Sequence, residues 1–174
     1  MLQDKPDMEG AQKVPDLDRT RFFADIIGEL SGLLESVTGL KEAEGFISTV
    51  GTKLGRSISD GYPTDPAASD PDFLAGILVD LKARINGDFS IVSADKDKII
   101  LSNTRCPFGT RVNGRRSLCM MTANVFGRIV ADRNGYAHIE IEEAIASGHA
   151  GCRVVVSLNL ETAPPDSGLE FFER

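Results

Sequence analysis

The spacing of apolar residues changes along this chain, and that change limits the folds open to it. From Asp18 to Ile85, apolar side chains recur every three or four residues, which is the period of amphipathic helices. Beyond Gly87 the period falls to two, as in half-buried strands, and returns to helical spacing only over residues 117–132. This order predicts an α+β fold, in which a helical N-terminal half packs on an antiparallel sheet with one inserted helix.

Capping residues predict where the first three helices lie. Two glycines, Gly51 and Gly55, lie one turn apart on the second helix, so we expect another backbone to approach that face closely. The predicted limits are Asp18 or Thr20 and Gly39 for the first helix, Lys41 and about Ser59 for the second, and Asp70 with Pro71 for the start of the third.

The strands are predicted from alternation. A hairpin is expected around the polar turn at residues 94–97, and a further strand at residues 153–160. Between the inserted helix and that strand, the alternation over residues 136–142 predicts a half-buried strand with His138 on its solvent face.

The length suits one domain. Residues 1–16 are polar and lack a period, so we expect a disordered tail followed by a single domain over residues 17–162. Residues 163–174 are predicted to be a C-terminal tail, although Leu169, Phe171 and Phe172 are candidates to dock on the domain.

Composition excludes several classes of function. A net charge of -7 disfavours nucleic acid as the main partner. The sequence shows neither a membrane-spanning run nor a signal peptide, and an odd number of cysteines, three, fits a reducing compartment. We therefore expect a cytoplasmic protein.

The three cysteines, Cys106, Cys119 and Cys152, fall at predicted element ends, where distant parts of a chain converge. With His149 they make a conceivable zinc set of three thiolates and one imidazole. Buried structural thiols are the commoner alternative. A reactive thiol is the third, because a helix N-terminus would lower the pKa of Cys119.

One basic cluster stands out in this acidic sequence. Such a cluster is usually a solvated face, but it could hold an anion or an acidic partner. Glycine-rich phosphate loops and serine nucleophile elbows are absent from the sequence. The cluster comprises Lys98, Arg105, Arg111, Arg115 and Arg116.

The C-terminal half resembles the methanogen output domain family. The resemblance is carried by four segments, at residues 106–109, 117–122, 134–137 and 142–156. That family is similar to the 4-vinyl reductase domain of sensor and regulator proteins. The resemblance implies helices packed on an antiparallel sheet around a ligand cavity, often in a dimer.

Zinc is a further implication of this resemblance. Relatives with a 4-vinyl reductase domain hold the metal through cysteines and a glutamate, and Cys119, Glu142 and Cys152 approximate three of those positions. Ala144 or Ile145 stands where a further cysteine would be, so a zinc site would need Cys106 or His149 as the missing ligand.

The resulting hypothesis is a small-molecule sensor that forms a homo-oligomer. As a free-standing domain the chain is similar to the small formaldehyde-stress sensors of methylotrophic bacteria, which implies that formaldehyde binding restrains growth. The ligand is expected between the second and third helices and the sheet. The predicted ligand-binding residues are Phe46, Thr49, Phe73, Ile77, Phe89, Met120, Asn124 and Arg128.

Two alternatives stay open at this point. One is a small enzyme that uses Cys119 or a zinc-bound water; the sensor hypothesis predicts no enzymatic activity. The other is a homodimeric interaction module without a ligand, paired through apolar residues of the first helix such as Phe22, Ile26, Leu30 and Leu33.

Overall fold

Residues 18–63 and 69–173 are described by the structure, a computed structural model, and they form four α-helices and a five-stranded sheet. The helices are α1 (Arg19–Thr38), α2 (Leu40–Ser59), α3 (Pro71–Arg84) and α4 (Cys119–Asn134). The strands are β1 (Ser90–Ala94), β2 (Lys98–Asn103), β3 (Tyr136–Glu143), β4 (Cys152–Ser157) and β5 (Leu169–Phe172). The predicted α+β class is confirmed, and the predicted tail at residues 1–16 lies outside the described residues.

Capping interactions fix the helix ends close to their predicted positions. The Asp18 carboxylate accepts a hydrogen bond of 2.7 Å from the Arg21 backbone N–H at the start of α1. At the start of α3, Asp70 accepts one of 3.0 Å from the Phe73 N–H. Gly135 ends α4 in the left-handed conformation, with φ 85°, which glycine adopts without steric cost.

The sheet is antiparallel throughout, with the strand order β1-β2-β4-β3-β5. Its inner face is built by cross-strand pairs of branched side chains: Val156 lies opposite Ile99 on one side and Ile139 on the other. Helices α3 and α4 cover this face. The inserted helix α4 therefore lies between the sheet and α2, whereas α3 packs on the sheet directly.

His138 is buried, with 1% of its surface exposed, so the prediction that it faces solvent is wrong. Strand β5, in the stretch predicted to be a tail, pairs with β3 and extends the sheet beyond it. The preceding loop closes over the imidazole, whose Nε2 is hydrogen-bonded to the Ser167 carbonyl while Gly168 packs against the ring. The alternation along β3 shows only which residues share a face of the strand, and it could not reveal that a loop about 30 residues later covers that face.

Helix α2 packs on α4 along its glycine pair, as expected. A Cβ on Gly51 would lie 2.9 Å from the Asn124 Cβ, and one on Gly55 would lie 2.9 Å from the Arg128 Cβ. Thr52 adds a hydrogen bond of 3.0 Å to the Asn124 side chain. Because both residues lack a Cβ, the two helices approach more closely than ordinary side chains would permit.

None of the described helices is long and apolar enough to cross a membrane.

Candidate functional site

The three cysteines line one small cavity of about 30 Å³, close to the end of the sheet where β2 ends and β4 begins. Cys106 follows β2, Cys119 is the first residue of α4, and Cys152 is the first residue of β4. Asn103 and Thr122 complete the polar part of the lining, and the rest of it is apolar. The expectation that these element ends converge is confirmed. We call this space the cysteine cavity.

Asn103 holds two walls of the cysteine cavity together. Its Oδ1 accepts a hydrogen bond of 2.9 Å from the Cys152 backbone N–H, and its Nδ2 donates one of 3.0 Å to the Arg105 carbonyl. The Cys152 Sγ accepts a 3.5 Å contact from the Ile145 N–H. The side chain of Asn103 therefore fixes the start of β4 against the turn that carries Cys106.

The thiols in this cavity are protonated at neutral pH. Burial raises the pKa of Cys106 and of Cys152, and it raises the pKa of Cys119 to about 12. The predicted lowering of the Cys119 pKa by the helix N-terminus is therefore wrong, because the loss of hydration outweighs the helix dipole. All three cysteines are free thiols.

Lys82 of α3 is buried beside the cysteine cavity, with 5% of its surface exposed. Its Nζ donates a hydrogen bond of 2.7 Å to Thr122 Oγ1, and lies 5.4 Å from the ring centroid of Phe89 and 5.1 Å from that of Phe126. Burial lowers the pKa of Lys82 to about 8, because the charged ammonium loses its hydration there. A substantial fraction of this amine is neutral near physiological pH.

Sequence reasoning missed Lys82, although a signal for its burial was present. Leu74, Leu78 and Lys82 are spaced by four residues, which puts all three on one face of α3. The two leucines are fully buried. A lysine that continues an apolar stripe is expected to be covered unless its side chain reaches water.

A second and larger hollow, the helical trough, has a volume of about 490 Å³ and opens between the helices. Its lining is apolar apart from Ser31 and Lys82. Phe108 and Leu118 border both the trough and the cysteine cavity. The trough is lined by Ile27, Leu30, Ser31, Leu34, Ile47, Val50, Leu54, Ile58, Leu81, Lys82, Ile85, Phe108, Leu118, Met121 and Val125.

The residues predicted to bind a ligand are dispersed. Phe89 lines the cysteine cavity, and Met120 lines a separate hollow of about 340 Å³ that also touches Glu140. Four others are engaged in packing: Phe73 and Ile77 in the main apolar core, and Asn124 and Arg128 where α4 meets α2. Phe46 and Thr49 are exposed on α2.

The predicted metal ligands are only partly brought together. Glu142 accepts a hydrogen bond of 2.7 Å from Arg153 Nε on the exposed face of the sheet. His149 contacts the backbone of Ala144 through its Nδ1. Across residues 18–63 and 69–173, no group of three or more histidine, cysteine or acidic residues is arranged to hold a metal ion. Zinc binding stays a prediction.

Polar contacts attach helix α1 to the loop between β2 and α4. Arg111 forms an ion pair with Asp25, and Arg115 Nη2 lies 3.4 Å from Glu29 Oε1. These arginines belong to the predicted basic cluster, so part of that cluster binds a helix of the same chain. The Ser117 hydroxyl is hydrogen-bonded to Ser31 at 2.9 Å.

Comparisons with known proteins agree with this architecture. Residues 26–157 match the sequence model of the family described as methanogen output domain 1. The structure is similar to that of the phenol-responsive sensory domain of the transcription activator PoxR with phenol: 12% identity, TM-score 0.51, over 80% of this chain and 76% of that chain. At this identity the likeness concerns the fold alone. No curated protein matches the sequence.

Proposed function

Because this chain belongs to the methanogen output domain 1 family, we propose that it is a small-molecule sensor whose ligand binds in the cysteine cavity. One observation carries the proposal: thiols from three separate elements converge with Asn103 and Thr122 on a single small space. Apolar walls with a few convergent polar groups are typical of ligand sites. The sensory role of the similar PoxR domain is consistent with this proposal.

The size of the cysteine cavity favours a compact ligand. A space of about 30 Å³ exceeds what one water molecule needs, but it would not admit an aromatic ring unless the walls moved. Formaldehyde has two heavy atoms, and its carbon reacts with thiols and amines. We propose that formaldehyde is the ligand and that its binding restrains growth under formaldehyde stress in the cytoplasm.

Helix α1 is the proposed route from the ligand to a partner. The segment that begins at Cys106 and leads into α4 at Cys119 also carries Arg111 and Arg115, which bind α1. A ligand that binds one conformation of this loop more tightly than another shifts the equilibrium toward the conformation that it prefers. Rearrangement at the cavity would then change how α1 is held.

A homo-oligomer is part of the same proposal. Apolar side chains of α1 and α2 form an exposed face, on which Leu30 and Leu33 are each 61% exposed and Val37 is 73% exposed. Contiguous exposed apolar patches of this kind mark interaction surfaces. This face also favours the second candidate function, a homodimeric interaction module that needs no ligand.

Binding of formaldehyde to the purified full chain tests the proposed function. Thermal unfolding should shift upward at formaldehyde concentrations that leave surface lysines largely unmodified, because a ligand of the folded state stabilises it. Thr122→Val should weaken the shift, whereas Thr49→Val, on the exposed part of α2, should not. Native mass spectrometry of the same sample reports subunit number and bound zinc.

Two results would contradict the sensor proposal. One is an unfolding temperature of the wild-type protein that does not respond to formaldehyde. The other is a dimer whose stability and subunit number are the same with and without the aldehyde, which would support the interaction module.

A further inference from the structure

An amine and a thiol lie close together beside the cysteine cavity. The Lys82 Nζ donates a hydrogen bond to Thr122, which lines the cavity, and Gly87 is the residue that packs between Lys82 and the turn that follows β2. Gly87 separates the two segments: a Cβ placed on it would lie 3.2 Å from both the Lys82 carbonyl oxygen and the Pro107 Cγ. Cys106 precedes that proline, so the turn places this thiol next to α3.

We propose that Lys82 Nζ and Cys106 Sγ together capture a small aldehyde as a methylene bridge between nitrogen and sulfur. This inference rests on the proposed function, because it assigns a covalent mode of binding to the same cavity. The ligand class is an unhindered aldehyde, since the carbonyl carbon must bond to both side chains within a space of about 30 Å³.

Bond formation begins at the amine. The neutral Lys82 nitrogen attacks the carbonyl carbon, and the carbonyl oxygen takes a proton to give a carbinolamine. Loss of that hydroxyl as water leaves an iminium ion, to which the Cys106 sulfur adds as its proton leaves. The amine and the thiol each lose one hydrogen, the aldehyde oxygen departs as water, and no atom is oxidised or reduced.

The surroundings of Lys82 favour this chemistry. Its pKa of about 8 leaves roughly a quarter of the amine neutral at about pH 7.5, against roughly a thousandth for an ordinary lysine. Thr122 Oγ1 accepts one N–H and orients the nitrogen. The rings of Phe89 and Phe126 exclude water from it.

Among the three thiols, Cys106 is assigned as the partner of Lys82. Its turn is the one that lies beside α3, because Gly87 packs between the Lys82 carbonyl oxygen and Pro107, the residue after Cys106. Cys106 is also carried by a loop rather than by a helix or a strand, so its sulfur can move toward the amine without breaking regular structure.

Stoichiometric labelling of the full chain tests the capture. The protein is treated with one equivalent of isotopically labelled formaldehyde, digested and analysed by mass spectrometry. The peptides that contain Lys82 and Cys106 should be joined, with a gain of one carbon atom's mass, because a methylene enters and two hydrogens leave. Lys82→Met or Cys106→Ser should reduce this product at least about tenfold, since each variant removes one end of the bridge.

Two controls separate the bridge from ordinary surface chemistry and from misfolding. Lys53→Met removes an exposed lysine of α2 and should leave the yield of the Lys82–Cys106 product unchanged. Lys82→Arg keeps the positive charge and should lose the bridge while circular dichroism stays that of the wild type, in case Lys82→Met does not fold.

The outcomes distinguish this inference from the proposed function. If the wild-type protein binds formaldehyde and Lys82→Met binds it equally well, the capture is wrong and the sensor proposal survives. If the wild-type protein shows neither adduct nor thermal shift, the proposed function itself fails. A product that joins Lys82 to Cys119 or Cys152 instead would overturn the assignment to Cys106.

Discussion

The inner and outer layers of this protein are built in opposite ways. In the inner layer, the core-facing apolar side chains of α3, α4 and the central strands are almost completely buried, as for Leu74, Phe126 and Ile139. In the outer layer, α1 buries only Gly28 and Ser31 and leaves most of its apolar residues exposed. Burial of apolar surface is the main source of folding free energy, so the inner layer should determine stability while α1 contributes little.

The largest expected effect tests this contrast directly. Phe126→Ala should lower the free energy of unfolding by about 3–5 kcal/mol, because it removes a fully buried ring and leaves a cavity in the core. The matched change in the outer layer, Leu33→Ala, should alter it by less than about 0.5 kcal/mol. Urea denaturation of both variants, at protein concentrations low enough to keep the chain monomeric, measures the difference. Equal losses would show that α1 is integral to the fold.

Lys82 is the exception within the inner layer, and its effect should depend on pH. Because the pKa of Lys82 falls to about 8 on folding, the unfolded chain binds more protons between about pH 8 and about pH 10.4, and stability rises with pH in that window. Below about pH 8, the buried ammonium lowers the free energy of unfolding by up to roughly 3 kcal/mol. Lys82→Met should therefore be more stable than the wild type at about pH 7, with a difference that shrinks toward about pH 9.5.

Urea midpoints at the two pH values check this prediction. The raised pKa of Cys119 acts in the opposite direction above about pH 9, but it is common to both proteins and cancels in their difference. A constant difference between variant and wild type across the range would show that the Lys82 pKa is not lowered in the folded state.

The smallest effect concerns the close contact between α2 and α4. Gly55→Ala should destabilise the protein by about 1–3 kcal/mol, because the added Cβ would lie 2.9 Å from the Arg128 Cβ on α4. Gly45→Ala on the same helix meets nothing within 4 Å and should stabilise it by about 0.5–1 kcal/mol. Thermal unfolding of both variants gives the signs. A stabilising Gly55→Ala would mean that α2 moves away from α4 without cost.

Much of the fold could be predicted because its signals are local. Asp18, Asp70 and Gly135 act on the helix ends beside them, and the hairpin alternation extends over a few residues. The cover over His138 could not be predicted, because it depends on a strand that pairs from a distant part of the chain.

Only part of the candidate site could be predicted from the sequence. Convergence of the cysteines followed from their places at element ends, but the position of the cavity depends on how α4 packs against the sheet. Phe46 and Thr49 were placed on the ligand side of α2, yet in the structure the packed face of that helix is the one carrying Gly51 and Gly55. Spacing indicates which residues share a face, and tertiary packing decides what that face meets.

The attachment of α1 by charged side chains makes its hold sensitive to the surrounding medium. Asp25 and Glu29 are 44% and 83% exposed, so dissolved ions reach their pairs with Arg111 and Arg115. Exposed charge pairs weaken as the Debye length shortens, which is about 8 Å at physiological ionic strength. Rising ionic strength should therefore weaken these two ion pairs, whereas the apolar inner layer does not depend on them.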